Sequence, residues 1–166
     1  NGGPKPVIAA VEGVAFGLGL SLVAACDYVV GHVDSSYCAV FNKVGLIPDM
    51  GLLATLPQRV GLGQAKQLMY SARRVKAAEA MQLGIIDQLE TDRSVRDAAL
   101  QQAEQMTSAA PIPIALIKAY YCKGNHSLEE ALRTEVDLQP ALYHSKDHIE
   151  GVTAFKEKRA PVFKGQ

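Results

Sequence analysis

The feature that most constrains the fold is an apolar run that passes into a glycine-rich turn and then into a helical pattern. Residues 7–11 are apolar, Gly13, Gly17 and Gly19 follow at short intervals, and a run rich in Leu, Val and Ala leads to Asp27. Glycine lets the backbone turn sharply and approach another group, because it has no Cβ. The first amides of the following helix have no internal partner and carry the positive end of its dipole. The stretch therefore predicts a strand, a tight turn and a helix that together hold negative charge.

Two interpretations of this turn remain open from the residues alone. The backbone amides of Gly17, Leu18 and Gly19 could form an oxyanion hole, in which one preorganised donor typically lowers a barrier by about 3 kcal/mol. Alternatively, the glycines only relieve crowding where a strand runs closely into a helix.

Composition excludes several classes of partner. The chain has 166 residues, enough for one domain with a real core, and its 17 Lys and Arg balance its 17 Asp and Glu. No global charge therefore favours nucleic acid or an acidic membrane. The apolar segments between residues 7 and 30 are interrupted by Glu12, the glycines and Asp27, which is too broken for a membrane span. We expect neither nucleic acid nor membrane as a partner.

The cysteines indicate a compartment. They are odd in number and lack metal-ligand spacing: Cys26, Cys38 and Cys122. Such cysteines are typical of reduced thiols in a reducing environment. The sequence thus predicts a cytoplasmic protein and leaves the mitochondrial or peroxisomal matrix open.

The order of predicted elements indicates an α/β fold, with a core over residues 1–92 and a helical region over residues 93–166. The predicted strands cover residues 7–11, 28–30, 37–41 and 85–87. The predicted helices cover residues 18–25, 49–59, 64–71, 75–83, 94–108, 112–123, 127–143 and 146–158.

Local signals set several of these boundaries. Pro48 is expected to start the helix 49–59, because proline is favoured at the first helical position, and Gly84 is expected to cap the helix 75–83. Ser127 with Glu130 forms a capping-box pattern. Pro140 predicts a kink or break in the helix 127–143, since proline lacks an N–H and clashes one turn back.

Asp49 is the second candidate for chemistry. Its neighbours in residues 45–51 are almost wholly apolar, so they would exclude water from the carboxylate and make it a useful general base. An Asp in the first turn of a helix is equally favoured by capping and by the helix dipole. The residues alone do not decide between these roles.

Other candidates are weaker. His144 and His148 have a spacing that could hold a metal, but no carboxylate–cysteine shell accompanies them, so we expect no metal site. Arg73, Arg74 and Lys76 are expected on a solvated face. The basic segment 155–164 carries aromatic residues and predicts either a helix end docked on the core or a contact for an anionic ligand or a partner subunit.

A series of short motifs runs along nearly the whole chain. They are KPVIAAVEG at 5–13, GLG at 17–19, AACD at 24–27, VGLIPD at 44–49, LPQRVG at 56–61, AAEA at 77–80, LG at 83–84, EGVTAF at 150–155 and EKR at 157–159. In this order they resemble the enoyl-CoA hydratase/isomerase (crotonase) superfamily.

The resemblance implies a fold and a substrate class. It implies a spiral of ββα turns with a C-terminal helical region that makes homotrimers, often paired into hexamers. It also implies an acyl-CoA substrate and no separate cofactor, since coenzyme A is part of that substrate. Members carry a further segment before the Lys5-Pro6 strand that holds the first oxyanion donor, so we expect this chain to be the C-terminal two-thirds of a member.

Departures from the family pattern indicate the reaction. Hydratases of this family use two glutamates, and the matching positions here are Ser21 and Phe41. Without that acid/base pair the resemblance argues against hydration. Asp49 instead matches the carboxylate of Δ3,Δ2-enoyl-CoA isomerase-type members, including ring-opening isomerases of phenylacetyl-CoA breakdown. The second oxyanion amide falls on Leu18, where the family more often has glycine.

We therefore expect an isomerase, in fatty-acid or phenylacetate metabolism, in which Asp49 moves a proton from C2 to C4 while the Leu18 amide holds the thioester oxygen. The other predicted substrate-binding residues are Gly17 and Gly19 at the turn, Leu20, Phe41 and Met50 around the acyl group, and Phe155 and Lys158 on the CoA adenine and phosphate of the same or a neighbouring subunit. The alternatives are other crotonase-type chemistry, dehalogenation or a hydratase-like reaction, and a non-catalytic acyl-CoA-binding protein.

Overall fold

A computed structural model describes residues 2–124 and 126–166; Asn1, the first residue of the predicted core region, and Asn125 lie outside the described residues. The chain divides into two compact units. The first is Val7–Gln102, and the second combines Ala103–Gln166 with the residues that precede Val7. The boundary between the units falls inside a helix, beyond the predicted boundary at residue 92. In the second unit, the buried Lys118 ammonium donates to the Lys5 carbonyl at 2.8 Å.

The first unit contains two small sheets. Its described strands are β1 (Ile8–Val11), β2 (Val14–Phe16), β3 (Tyr28–His32), β4 (Ser36–Cys38), β5 (Val75–Lys76) and β6 (Gln88–Glu90). One sheet has the order β1-β3-β6 and is parallel throughout; the other has the order β2-β4-β5, in which β5 is antiparallel to β4. From β1 to β4, strands that are consecutive in sequence alternate between the two sheets, whereas β4 and β5 belong to the same sheet.

Helices complete both units. The described helices are α1 (Leu18–Ala24), α2 (Leu52–Val60), α3 (Leu62–Ser71), α4 (Ala77–Leu83), α5 (Val95–Thr107), α6 (Pro111–Tyr121), α7 (Leu128–Tyr143) and α8 (Lys146–Glu157). A short 3-10 helix, Val40–Val44, lies between β4 and α2. Helix α5 begins in the first unit and ends in the second.

Several predictions that depend on local chemistry are confirmed. The strand at 7–11 and the helix at 18–25 are present as β1 and α1. Gly84 follows α4 with φ of 82°, the left-handed conformation that glycine adopts at a helix end. Ser127 caps α7, since its hydroxyl oxygen accepts the Glu130 N–H at 3.1 Å.

The segment after β1 is more complex than predicted. The sequence indicates a strand followed directly by a glycine turn, whereas residues 14–16 form a further strand, β2, in the other sheet. The predicted strand 37–41 covers only Ser36–Cys38, because the backbone continues as the 3-10 helix. A strand of three residues is too short to show a clear alternation of apolar and polar residues. Whether it forms depends on the strand with which it pairs.

The prediction that Pro48 starts a helix is wrong. Helix α2 begins at Leu52, after Met50 with φ of 50° and Gly51 with φ of 83°. These two left-handed residues form a turn in which the Asp49 carbonyl accepts the Leu52 N–H at 3.1 Å. Asp49 consequently precedes the helix and does not lie in its first turn.

The observed start of α4 and the observed position of β6 also differ from the predictions. Val75 and Lys76 form β5, paired with β4, so the predicted helix 75–83 begins only at Ala77. The strand predicted at 85–87 occurs at Gln88–Glu90, and residues 85–87 form the extended link before it.

Pro140 does not break its helix. Helix α7 is continuous from Leu128 to Tyr143. Proline removes the N–H that would bond to the Val136 carbonyl, but Val136 is exposed, so water can satisfy that oxygen.

The core of the first unit encloses a few polar groups that are all engaged. The Tyr37 hydroxyl lies 3.0 Å from the Ser35 hydroxyl, and burial raises the pKa of Tyr37. Arg59 has a side chain only 12% exposed; it donates to the Cys26 carbonyl at 2.7 Å and to the Asp87 carboxylate at 3.1 Å. These bonds join α2 to the ends of both the α1 and α4 segments.

Candidate active site

The glycine turn is fixed by hydrogen bonds on both sides. Gly17 is the N-cap of α1, with φ of 50° and ψ of −117°. Its N–H donates to the Cys38 carbonyl at 2.9 Å, and its carbonyl accepts the Ser21 N–H at 3.1 Å. A Cβ on Gly17 would stand 3.4 Å from Val40 Cγ1. The backbone conformation, and not crowding alone, therefore calls for glycine at this position.

The three residues that follow Gly17 differ in their surroundings. Leu18 is the first helical residue, so its amide has no acceptor inside α1, and its side chain is half exposed. Gly19 has space for a Cβ, which would lie 3.8 Å from Ala15 Cβ. Leu20, predicted to line an acyl pocket, is buried in the hydrophobic core of the first unit.

Ser21 and Phe41, the two positions that the resemblance matches to hydratase glutamates, both lie beside this turn. Phe41 is buried, and the tip of its ring is 3.9 Å from the position of a Cβ on Gly17. Ser21 is fully buried, and its hydroxyl donates to the Gly17 carbonyl at 3.4 Å. Neither position supplies a carboxylate to the turn.

Asp49 lies on the exposed segment between the 3-10 helix and α2. The Leu46 N–H donates to the Phe41 carbonyl at 3.0 Å, which anchors the start of this segment beside the Phe41 backbone. Asp49 itself is exposed, and so is Met50, predicted to line the acyl pocket. The expected dry environment of the Asp49 carboxylate is thus not formed by the described residues.

Arg74 is a neighbour of the turn that the sequence did not reveal. Its guanidinium lies 5.7 Å from the centre of the Phe16 ring, and its Nε donates to the Ser36 hydroxyl at 2.9 Å. Phe16 immediately precedes Gly17. The adjacent Arg73 instead forms a two-point ion pair with Glu79 on the surface. The position of Arg74 follows from the pairing of β4 with β5, which could not be predicted from any local sequence pattern.

The second unit carries the two residues predicted to contact CoA. Phe155, in the last turn of α8, is 85% exposed. Lys158 follows the helix with φ of 56°, a left-handed conformation that is uncommon outside glycine.

Neither a metal cluster nor a membrane helix is found in the described part of the chain. Within residues 2–124 and 126–166, no three His, Cys, Asp or Glu side chains converge as a metal site would require. His144 is the C-cap that follows α7 and His148 lies in α8, so the two do not share a helix. Among the described helices, none combines the length and the apolar character needed to cross a bilayer.

Comparison with known proteins decides the family. The whole chain, residues 1–166, matches the profile described as Enoyl-CoA hydratase/isomerase. The chain belongs to the enoyl-CoA hydratase/isomerase family. The predicted superfamily and the crotonase-like α/β fold are thereby confirmed.

Relatives within the family carry the names dehydratase, hydratase or hydratase/isomerase. A carnitinyl-CoA dehydratase of Citrobacter koseri is 36% identical over 98% of this chain and 64% of its own length. The crystal structure of an enoyl-CoA hydratase from Bacillus anthracis superposes with a TM-score of 0.92 at 35% identity, over 98% of this chain and 64% of that one. An enoyl-CoA hydratase/isomerase from Cupriavidus metallidurans gives a TM-score of 0.89 at 34% identity, over 98% of this chain and 62% of that one. The chain thus spans slightly less than two thirds of these relatives.

Proposed function

We propose that this family member is an acyl-CoA enzyme that shifts a carbon–carbon double bond by a one-base proton shuttle. The observation that carries the proposal is the pair of buried residues beside the Gly17 turn, Ser21 and Phe41. A phenyl ring cannot transfer a proton, and the Ser21 hydroxyl is committed to a backbone carbonyl. Water addition needs both an acid and a base, so this pair supports a reaction with a single proton-transferring group.

In the proposed reaction Asp49 is that group. A 3-enoyl thioester would bind with its carbonyl oxygen on the Leu18 amide, which stabilises negative charge on that oxygen. Asp49 takes the proton from C2, and the electron pair of the C2–H bond delocalises into a dienolate. The protonated Asp49 then delivers the same proton to C4, which gives the conjugated 2-enoyl thioester. Phe41 keeps water away from the intermediate.

Phe155 and Lys158 are proposed to bind the nucleotide part of CoA. An exposed aromatic ring suits an adenine face, and an ammonium group suits a phosphate. We also propose a homotrimer, or a pair of trimers, with these contacts made across a subunit boundary. Light scattering on the purified protein tests the assembly.

The test of the mechanism is Asp49→Asn, assayed by the absorbance of the conjugated thioester formed from 3-enoyl-CoA. Loss of a general base is expected to lower kcat by about 10²–10⁴-fold. Asp34→Asn is the matched control, because the Asp34 side chain is 85% exposed and pairs only with His32 at 3.5 Å in the described part of the chain. If Asp49→Asn keeps activity within about tenfold of the parent, Asp49 is not the base.

A hydratase or dehydratase is the second candidate, favoured by the names of the relatives. Incubation with 2-enoyl-CoA separates the two, since only a hydratase forms the 3-hydroxy thioester. A covalent aspartyl adduct would instead indicate dehalogenation with Asp49 as nucleophile. Binding of CoA without exchange of the C2 proton in deuterated water would indicate a non-catalytic member.

A further inference from the structure

The segment after α8 folds back onto that helix through Glu150. Arg159 donates from its two terminal nitrogens to the two carboxylate oxygens of Glu150, at 2.6 and 2.9 Å. Its Nε donates to Glu157 at 2.7 Å. The Val162 N–H also donates to Glu150, at 2.9 Å. A planar guanidinium held in this two-point geometry has little freedom to rotate.

Asp147, nearly one turn earlier in α8, holds the rest of the segment. Its buried carboxylate accepts the Lys164 N–H at 2.7 Å and the Gly165 N–H at 2.8 Å. Its own N–H donates to the Gln166 carbonyl at 3.1 Å. Glu150 and Asp147 therefore fix the backbone from Arg159 to Gln166 along one face of α8.

The chain reversal that makes this possible occurs at Lys158. The Lys158 N–H donates to the Phe155 carbonyl at 3.3 Å, and the Arg159 N–H donates to the Ala154 carbonyl at 3.1 Å. The backbone of Lys158 is left-handed, a conformation that is unfavourable for every residue with a Cβ. Glycine would adopt this conformation without steric cost, yet the residue at this position is a lysine. Such a conformation persists only where the surroundings hold it, and the clamped Arg159 is the next residue.

We infer that Glu150 is a positioning residue: by fixing Arg159 it holds the left-handed turn at Lys158, and so sets Lys158 and the exposed Phe155 for the nucleotide part of a CoA thioester. This inference rests on the proposed function, in which these two residues contact CoA. Glu150 itself does not touch the ligand.

The test compares Glu150→Ala with the parent on two substrates, an acyl-CoA and the same acyl group on pantetheine, which lacks the nucleotide. Loss of positioning is expected to raise KM for the acyl-CoA by about tenfold while kcat stays within about twofold. KM for the pantetheine thioester is expected to remain unchanged. An equal fall in kcat on both substrates would instead mean that Glu150 only supports the fold, and would overturn the inference.

The charge of Glu150, considered alone, predicts the opposite change in KM for the acyl-CoA. Removing a carboxylate near Lys158 makes the surroundings more positive, which by itself strengthens binding of a phosphate. A fall in KM for Glu150→Ala or Glu150→Gln would therefore overturn the inference. Glu129→Ala is the matched control, because among the described residues Glu129 pairs with Arg133 of its own helix, α7, at 3.4 Å.

A second variant tests the route through Lys158. Lys158→Gly is expected to raise KM for the acyl-CoA, since it removes the cation. Adding Glu150→Ala to Lys158→Gly should then raise KM by a smaller factor than Glu150→Ala does in the parent, because glycine adopts the left-handed conformation without support from its neighbours. Fully additive effects would contradict this route.

Calorimetric titration with CoA keeps the inference separate from the proposed reaction. If no acyl-CoA is isomerised but Glu150→Ala still weakens CoA binding, the reaction is wrong and the positioning role stands. Equal affinity in the parent and Glu150→Ala overturns the positioning role, and so does an absence of CoA binding by the parent.

Discussion

The ring of Phe41 ends 3.9 Å from the point where a Cβ on Gly17 would stand. The 3-10 helix that carries Phe41 thus packs directly against the turn, and Val40 Cγ1 lies closer still to the same point, at 3.4 Å. Phe41 and the residue that shapes the turn, Gly17, therefore form one contact. Changes at either are expected to affect both stability and chemistry.

Gly17→Ala is expected to destabilise the protein by about 1–3 kcal/mol, since φ of 50° with ψ of −117° is open only to glycine. Activity should fall as well, because the Leu18 amide follows directly. Gly19→Ala is the control: its Cβ would meet only ordinary contact at 3.8 Å, and helical glycine costs about 0.5–1 kcal/mol relative to alanine. Urea unfolding of both variants checks this. Equal losses would mean that the Gly17 backbone is not special.

Gly31→Ala is expected to destabilise by about 1–3 kcal/mol through overpacking. Its Cβ would stand 2.5 Å from the Tyr37 hydroxyl oxygen and 3.0 Å from Ile86 Cδ1. Tyr37→Phe alone should cost about 1 kcal/mol, because the Ser35 hydroxyl loses its partner. The double variant should cost less than the sum, since removing the hydroxyl makes room for the methyl group. Additive losses in thermal unfolding would contradict this packing.

Arg59→Met is expected to destabilise by about 2–4 kcal/mol, because the Cys26 carbonyl and the Asp87 carboxylate both lose the largely buried guanidinium, although the Val29 N–H still donates to Asp87 at 2.8 Å. Arg59→Lys should recover little, since one ammonium cannot reproduce the two-armed geometry. Arg133→Met provides the comparison on an exposed ion pair, where a loss below about 1 kcal/mol is expected. Guanidinium unfolding curves measure all three.

The Glu150 clamp should be sensitive to acid. The Arg159 guanidinium and the Val162 N–H lower the pKa of Glu150 from 4.5 to about 2. A carboxylate whose pKa is lowered by folding contributes its stability above the unfolded value and loses it as pH falls towards the folded value. The stability advantage of the parent over Glu150→Gln should therefore be constant above pH of about 5.5 and shrink between about 4.5 and 2. Hydrogen exchange of the Val162 amide offers a local measurement. A difference that does not change with pH would exclude this linkage.

Much of the fold could be predicted where the signal is local. Ser127 caps α7 because its hydroxyl reaches an amide three residues on, and Gly84 ends α4 because it tolerates a left-handed backbone. The strands β2 and β5 could not be predicted in the same way. They have three and two residues, and β5 is defined by pairing with Ser36, some forty positions earlier in the chain.

The candidate site divides along the same line. The positions of Ser21, Phe41 and Asp49 in the family pattern are visible in the sequence. The exposed turn at Met50 and Gly51 is not, because proline at 48 suits a helix start and an extended link alike. The guanidinium of Arg74 above Phe16 depends on strands that meet only in the folded unit.

Cys38 gives this region a built-in reporter. Its carbonyl holds the Gly17 N–H, while its thiol donates to the Ala72 carbonyl at 3.2 Å, and burial raises the pKa of that thiol. Thiolate is the reactive form, so alkylating reagents reach Cys38 only when the strand edge that carries the turn opens. Cys122 is exposed and serves as the reference for labelling at the surface. The delay between the labelling of Cys122 and that of Cys38, followed by the masses of the separated peptides so that Cys26 is distinguished from both, would time the opening of the turn without an introduced probe.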